Sequence, residues 1–127
     1  DAPTQLVINF DFMVTALSLA FGNDDAGWTS NGDRGLLTLF TGATQVGQSS
    51  VVLNRNDIMD QTVGFTGADF NRATFAYVHG NTPINLMEIV DDVTFTRSAR
   101  VPEPTMLALL GIGLACFGAL RSKQRKA

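Results

Sequence analysis

The sequence predicts an all-β domain, a β-sandwich or jelly roll over residues 1–100, followed by one C-terminal transmembrane helix. Three observations predict it. Apolar residues alternate with others from Leu6 onward. Clusters of Gly, Asn and Asp punctuate the chain at short intervals. An uncharged apolar run near the C-terminus ends in a cluster of bases.

The alternation comes first. Leu6, Ile8, Phe10, Phe12 and Val14 interleave with Val7, Asn9, Asp11, Met13 and Thr15. A period of two places the first set on one face of a strand. The pattern continues through Leu17, Leu19 and Phe21. Residues 22–27 and 30–35 are rich in Gly, Asn and Asp, which form turns through αL geometry and side-chain hydrogen bonds. Leu36–Phe40, Val51–Leu53, Arg72–His79, Ile84–Ile89 and Asp92–Arg97 follow as strand candidates. Several short strands between such turns favour a sandwich. Phe10, Phe12, Phe75 and Phe95 fall within the strand patterns and are expected in the core.

Composition narrows the function. The chain has 127 residues, 17% charged and 45% apolar, with a net charge of −3. Residues 1–100 carry eleven acids, five arginines and no lysine, a net of −6. Nucleic-acid affinity rests on clustered Lys and Arg against phosphates, so nucleic acid is excluded as a partner. The single cysteine, Cys116, excludes an internal disulfide and a multi-cysteine zinc site. The chain opens on Asp1 almost at the first strand, and we read it as a fragment.

The run 105–120 has no charge. As a helix it spans about 24 Å at ~1.5 Å per residue, against a hydrocarbon core of about 30 Å. Arg121 makes up the difference by snorkelling. Pro102 and Pro104 stop the helix extending backwards, and Glu103 sits where the helix dipole favours negative charge. The basic tail, 121–127, holds Arg121, Lys123, Arg125 and Lys126 and marks the cytoplasmic side. Residues 1–100 then lie outside the cytoplasm. A buried core helix is the bland alternative, but such a helix keeps a polar face and this run has none. Gly111, Ala115 and Ala119 form a small-residue stripe that reads most simply as filler in a weakly apolar span.

Val101-Pro102-Glu103-Pro104, then the apolar span, then the basic cluster, resembles the PEP-CTERM sorting domain over residues 101–127. The order of the three elements at the terminus carries the likeness. Ser122 and Gln124 interrupt a tail that is usually denser in arginine. The resemblance implies export by a Gram-negative bacterium, often one that makes exopolysaccharide. It implies a stay in the inner membrane, C-terminus in the cytoplasm, on the way to the cell surface or matrix. It also implies recognition by exosortase, an integral-membrane transpeptidase, with Val101, Pro102, Glu103 and Pro104 as the sorting motif. The partners expected are exosortase, the lipid bilayer and exopolysaccharide. Residues 89–95 are similar to the last strand of jelly-roll, carbohydrate-binding-type domains.

Reactive candidates are few, and neither a catalytic residue nor a cofactor is assigned. Asp91 and Asp92 are adjacent, so a strand would point them to opposite faces. Asp57 and Asp60 flank a short segment. Asn23, Asp24, Asp25 and Asp33 could supply some calcium oxygens, but no spacing matches a known calcium loop, and turn formation explains them better. His79 is the sole histidine, and no Gly-x-Ser-x-Gly elbow surrounds Ser49 or Ser50. Cys116 lies in the apolar span as filler. Trp28, in a Gly/Asp/Asn loop, is the one aromatic suited to stacking on a sugar. The expected function is therefore a non-enzymatic surface or matrix protein. A glycan-binding module and an exported hydrolase are the alternatives.

Overall fold

The computed structural model describes residues 4–22, 26–99 and 110–116. Its elements are β1 (Leu6–Phe21), a one-turn 3-10 helix (Ala26–Trp28), β2 (Arg34–Thr41), β3 (Thr44–Val52), β4 (Gln61–His79), β5 (Thr82–Pro83) and β6 (Val90–Arg97). The strands pair antiparallel in the order β3-β2-β4-β1-β6, and the short β5 pairs with β4. The all-β expectation therefore holds for the described residues.

The expectation of two separate sheets does not. All the strands join one continuous sheet, and that sheet folds over on itself. The proof is a pair of rings. Phe21 lies at the end of β1, opposite Gln61; Phe75 lies opposite Leu6, at the start of β1. On a flat strand the two ends of β1 would be roughly 50 Å apart at ~3.3 Å per residue. The Phe21 and Phe75 rings are instead 5.3 Å apart, centroid to centroid. Sandwich-like packing thus arises without a second sheet, because β1 and β4 are long enough to run through both layers.

Irregular pairing makes the fold-over possible. From Asn9 to Val14 β1 advances five residues while β4 moves only two, from Arg72 to Phe70. A second shift lies between Val14 and Ala16. Extra residues on one strand bend it and reverse which side chains face inward. Burial shows the reversal: Val14 is buried, and then Leu17, Leu19 and Phe21. In β4 the buried set passes from Val63 to Phe70 and then to Ala73, Phe75 and Tyr77. Gly67, at φ +150°, sits at the first of these switches. Strict alternation from Leu6 predicts a single inward face, and the bends account for the departure.

The layers meet through aromatic rings. Phe21, Phe75 and Tyr77 pack together, and Phe65 packs edge-on against Phe70. Gly35 and Gly47 are close-approach positions. A Cβ at Gly35 would strike the Phe21 and Phe75 rings, and one at Gly47 would strike Phe65. Fully burying one such ring contributes about 1.5–3 kcal/mol, as does each buried Leu and Val of the same core.

Three element-level expectations change. Gln61–Phe70 is strand, though its alternation is diluted by Gly64, Gly67 and Asp69, residue types depleted in strands. Ile84–Ile89 is not strand. Pro83 ends β5, and the Leu86 N–H bonds back to the Ile84 carbonyl in a tight turn. Phe95, expected in the core, is 49% exposed. It touches Phe10 and Phe12, but β6 is an edge strand and covers it on one side only.

The transmembrane helix expected over residues 105–120 falls largely outside the described residues. Residues 110–116 are helical and exposed. Among the described residues no helix is long and apolar enough to cross a membrane.

Candidate functional site

The long loops gather at one pole of the folded sheet. Phe21 pairs with both Gln61 and Val90, and Arg34 pairs with both Val52 and Val78. The connections after Phe21, after Val52 and after His79 therefore emerge together. Cross-links tie them: Tyr77 Oη donates to the Gly22 carbonyl, Gln61 Nε2 to the Val52 carbonyl at 2.7 Å, and Leu53 N–H to the Asp33 carbonyl at 2.8 Å. Burial pushes the Tyr77 hydroxyl up to about 12, so it remains a neutral donor.

Trp28 stands on this pole, 78% exposed at the end of the 3-10 turn. The next residues form a tight turn in which the Asp33 N–H donates to the Ser30 carbonyl at 3.2 Å and Gly32 takes φ +89°. Two devices hold this turn. Beneath it, the buried Asp33 carboxylate accepts the Ser30 N–H at 2.7 Å and lies 2.6 Å from His79 Nδ1. Beside it, Arg55 donates from Nε to Thr29 Oγ1 at 3.2 Å and from Nη1 to Asn31 Oδ1 at 2.9 Å. Burial pushes the Asp33 carboxyl up, but the Ser30 N–H, His79 and Arg55 together outweigh it and hold the group below its usual value.

Arg55 itself is carried by a self-pinned loop. Asp60 accepts from Asn54 Nδ2 at 2.8 Å and from Asn56 Nδ2 at 2.7 Å, and these two bonds lower its carboxyl. Arg55 and Asp57 both take φ +57°, which aims successive side chains in ways an extended loop cannot. Ile58 and Met59 of the same loop are exposed. The pole thus presents one indole and a short apolar tip among amide, carboxylate and guanidinium groups, a surface suited to stacking and hydrogen bonding.

Other candidates fall apart on inspection. Ser50 Oγ accepts from Arg34 Nη1 at 3.2 Å, and Arg34 Nη2 donates to the Gly80 carbonyl at 2.6 Å; these contacts are distinct from the Asp33–His79 pair. Asp92 folds back, its N–H donating to the Asp91 carboxylate at 2.8 Å with φ +46°. Of the four calcium-ligand candidates, Asp33 is engaged with Ser30 and His79, and Asn23, Asp24 and Asp25 lie outside the described residues. Among the described residues no three His, Cys, Asp or Glu side chains converge. A shallow depression on the outer face of β1, β4 and β6 is lined by small residues such as Ala16, Ser18, Gly64, Thr66, Thr94 and Thr96. Cys116 is exposed on the helical segment 110–116.

Arg55 and the Asp33–His79 pair escape sequence reasoning. Asp33 and His79 are 46 positions apart, and no local signal joins them. The Asn54-Arg55-Asn56 triplet before Asp57 and Asp60 is the one hint of a structured loop. The sorting motif Val101, Pro102, Glu103 and Pro104 and the basic residues Arg121, Lys123, Arg125 and Lys126 lie outside the described residues. Before them, the Ser98 N–H donates to the Met13 carbonyl at 2.8 Å, next to the end of β6.

Comparison with known proteins gives no match among curated proteins and none among solved structures. A family model does match the C-terminal segment. Residues 100–125 of this chain are a PEP-CTERM protein-sorting motif.

Proposed function

We propose that this chain is a non-enzymatic surface or matrix protein, delivered by a cleavable membrane anchor. The motif at residues 100–125 supports a protein sorted by exosortase, a membrane enzyme, toward the cell surface. In this reading the transpeptidation chemistry belongs to exosortase, and the chain is its substrate. Residues 105–120 lodge in the inner membrane, and Arg121, Lys123, Arg125 and Lys126 stay in the cytoplasm. Pro102, Glu103 and Pro104 form the recognition element, because two prolines keep the backbone out of the helix and extended for an active site.

The observation that carries the reading is the junction. β6 ends at Arg97, Ser98 is bonded to Met13, and the motif match begins at residue 100, so the motif follows the last strand within a few residues. Replacing Pro102, Glu103 and Pro104 together by alanine should leave the uncut chain in the membrane fraction of the producing cell. Mass spectrometry of the C-terminus checks this, and unchanged processing and display would sink the proposal.

A second reading, binding of exopolysaccharide, draws support from Trp28, a large ring left 78% exposed on a loop held from two sides. A flat ring of that kind suits the apolar face of a sugar. Titrating the host polysaccharide into the full-length protein should change its fluorescence, since Trp28 is the sole tryptophan. The Trp28→Ala variant should show at least a tenfold weaker association by calorimetry, equivalent to about 1.4 kcal/mol. Equal affinity would remove Trp28 from the account. Repeating the titration with a chelator tests for calcium.

A further inference from the structure

The anchor and the Trp28 loop leave the fold at opposite ends. β2 is the ruler. At Arg34 it begins beside the turn that follows Trp28, and at Thr41 it ends at the tight connection to β3. Its eight residues span roughly 25 Å at ~3.3 Å per residue. The C-terminal exit lies at the Thr41 end, and one residue proves it. The Asp69 carbonyl accepts from Thr41 Oγ1 at 2.7 Å, while the Asp69 carboxylate accepts from Ser98 Oγ at 3.3 Å. Gly42 N–H also donates to Asn71 Oδ1 at 3.0 Å on the same end. β6 agrees: Val90 pairs with Phe21 at the loop pole, and Arg97 pairs with Val14 away from it.

We infer that the domain stands on the membrane with the 41–44 turn, Asp69 and Ser98 toward the bilayer, and presents the Trp28–Arg55 pole outward to hydrated polysaccharide. This rests on the reading that residues 105–120 enter the membrane. Residues 99–104 alone separate Ser98 from that segment, a tether of at most about 25 Å at ~3.6 Å per residue. The exit pole is therefore held close to the headgroups, where exosortase must work. The Trp28 pole is the part of the fold farthest along β2 from that tether. Its exposed indole is carried by the loop that Arg55 ties through Thr29 and Asn31, polar groups of the kind that hydrogen-bond with hydroxyl-rich ligands. An outward pole meets the matrix before it meets lipid.

The sole tryptophan makes this directly measurable. The full-length chain is reconstituted into phosphatidylcholine–phosphatidylglycerol vesicles, with and without brominated acyl chains. A second protein, Ala43→Trp in a Trp28→Phe background, moves the reporter to the exposed turn after Thr41. Both should float with the vesicles. The brominated lipid should remove more emission from the Ala43→Trp protein than from the parent, whose Trp28 emission should be lost instead to soluble iodide. If Trp28 loses as much emission to brominated lipid as the relocated reporter, the orientation is overturned while the anchoring stands. If neither protein floats, the anchoring itself is overturned, and the orientation with it.

Discussion

Asp33 is the residue on which the loop pole depends. Its carboxylate is buried yet ionised, because Ser30 N–H, His79 and Arg55 all favour the anion. Asp33→Ala would leave the Ser30 N–H without its acceptor and His79 without its partner. Both donors are themselves exposed or part-buried, so losing such bonds costs about 0.5–1.5 kcal/mol each. The variant should unfold at a lower urea concentration, read by tryptophan fluorescence. The pH dependence has a definite sign. The folded carboxyl titrates below its ordinary value of 3.8, so the folded state binds fewer protons. Its stabilisation is complete above that ordinary value and drains away as pH falls through the lowered one. The gap between parent and Asp33→Ala midpoints should shrink as the pH falls into the acid range. A gap that instead widens in acid would contradict this assignment. The pairing was not legible in the chain order, where Asp33 reads as a turn former and nothing joins it to His79, 46 positions away.

At the scale of elements, the bends in β1 and β4 decide the architecture. The Leu6-to-Phe21 strand was legible because its side chains alternate over a long stretch. Its reversal of face was not, because a bulge depends on the partner strand as much as on its own residues. The Gln61–Phe70 half of β4 was hidden for a related reason: Gly64, Gly67 and Asp69 dilute its alternation, and Gly67, at φ +150°, serves the bend rather than strand propensity. Gly67→Val would force a β-branched residue to φ +150°, at a cost of order 1–3 kcal/mol. A comparable loss is expected for Gly47→Val, which would drive a side chain into the Phe65 ring, since overpacking costs about 1–3 kcal/mol. Urea midpoints of the two variants check both values. A neutral Gly47→Val would mean that the two layers are not in contact there.

The whole molecule divides into a fold and a tail that obey different rules. The fold is closed by Phe21, Phe75 and Tyr77, rings drawn from distant parts of β1 and β4. Phe75→Ala should cost about 3–5 kcal/mol and abolish the cooperative transition, because it empties the contact that holds the layers together. Of the tail, residues 110–116 are helical and exposed, away from that core. Deleting 101–127 should leave the urea midpoint unchanged and eliminate flotation with vesicles. A drop in midpoint would place the tail inside the fold.

By itself the sequence determined the sorting motif, the all-β class and the acidity of residues 1–100. These are properties of adjacent residues: proline beside glutamate, an uncharged run, a period of two. Only the tertiary structure decided that one sheet folds over to make two layers, that Asp33 meets His79, and that Trp28 and the exit at Ser98 lie at opposite ends. Those facts are distances between residues far apart in the chain. They follow from where the bulges bend β1 and β4 and from which rings then find each other across the layers.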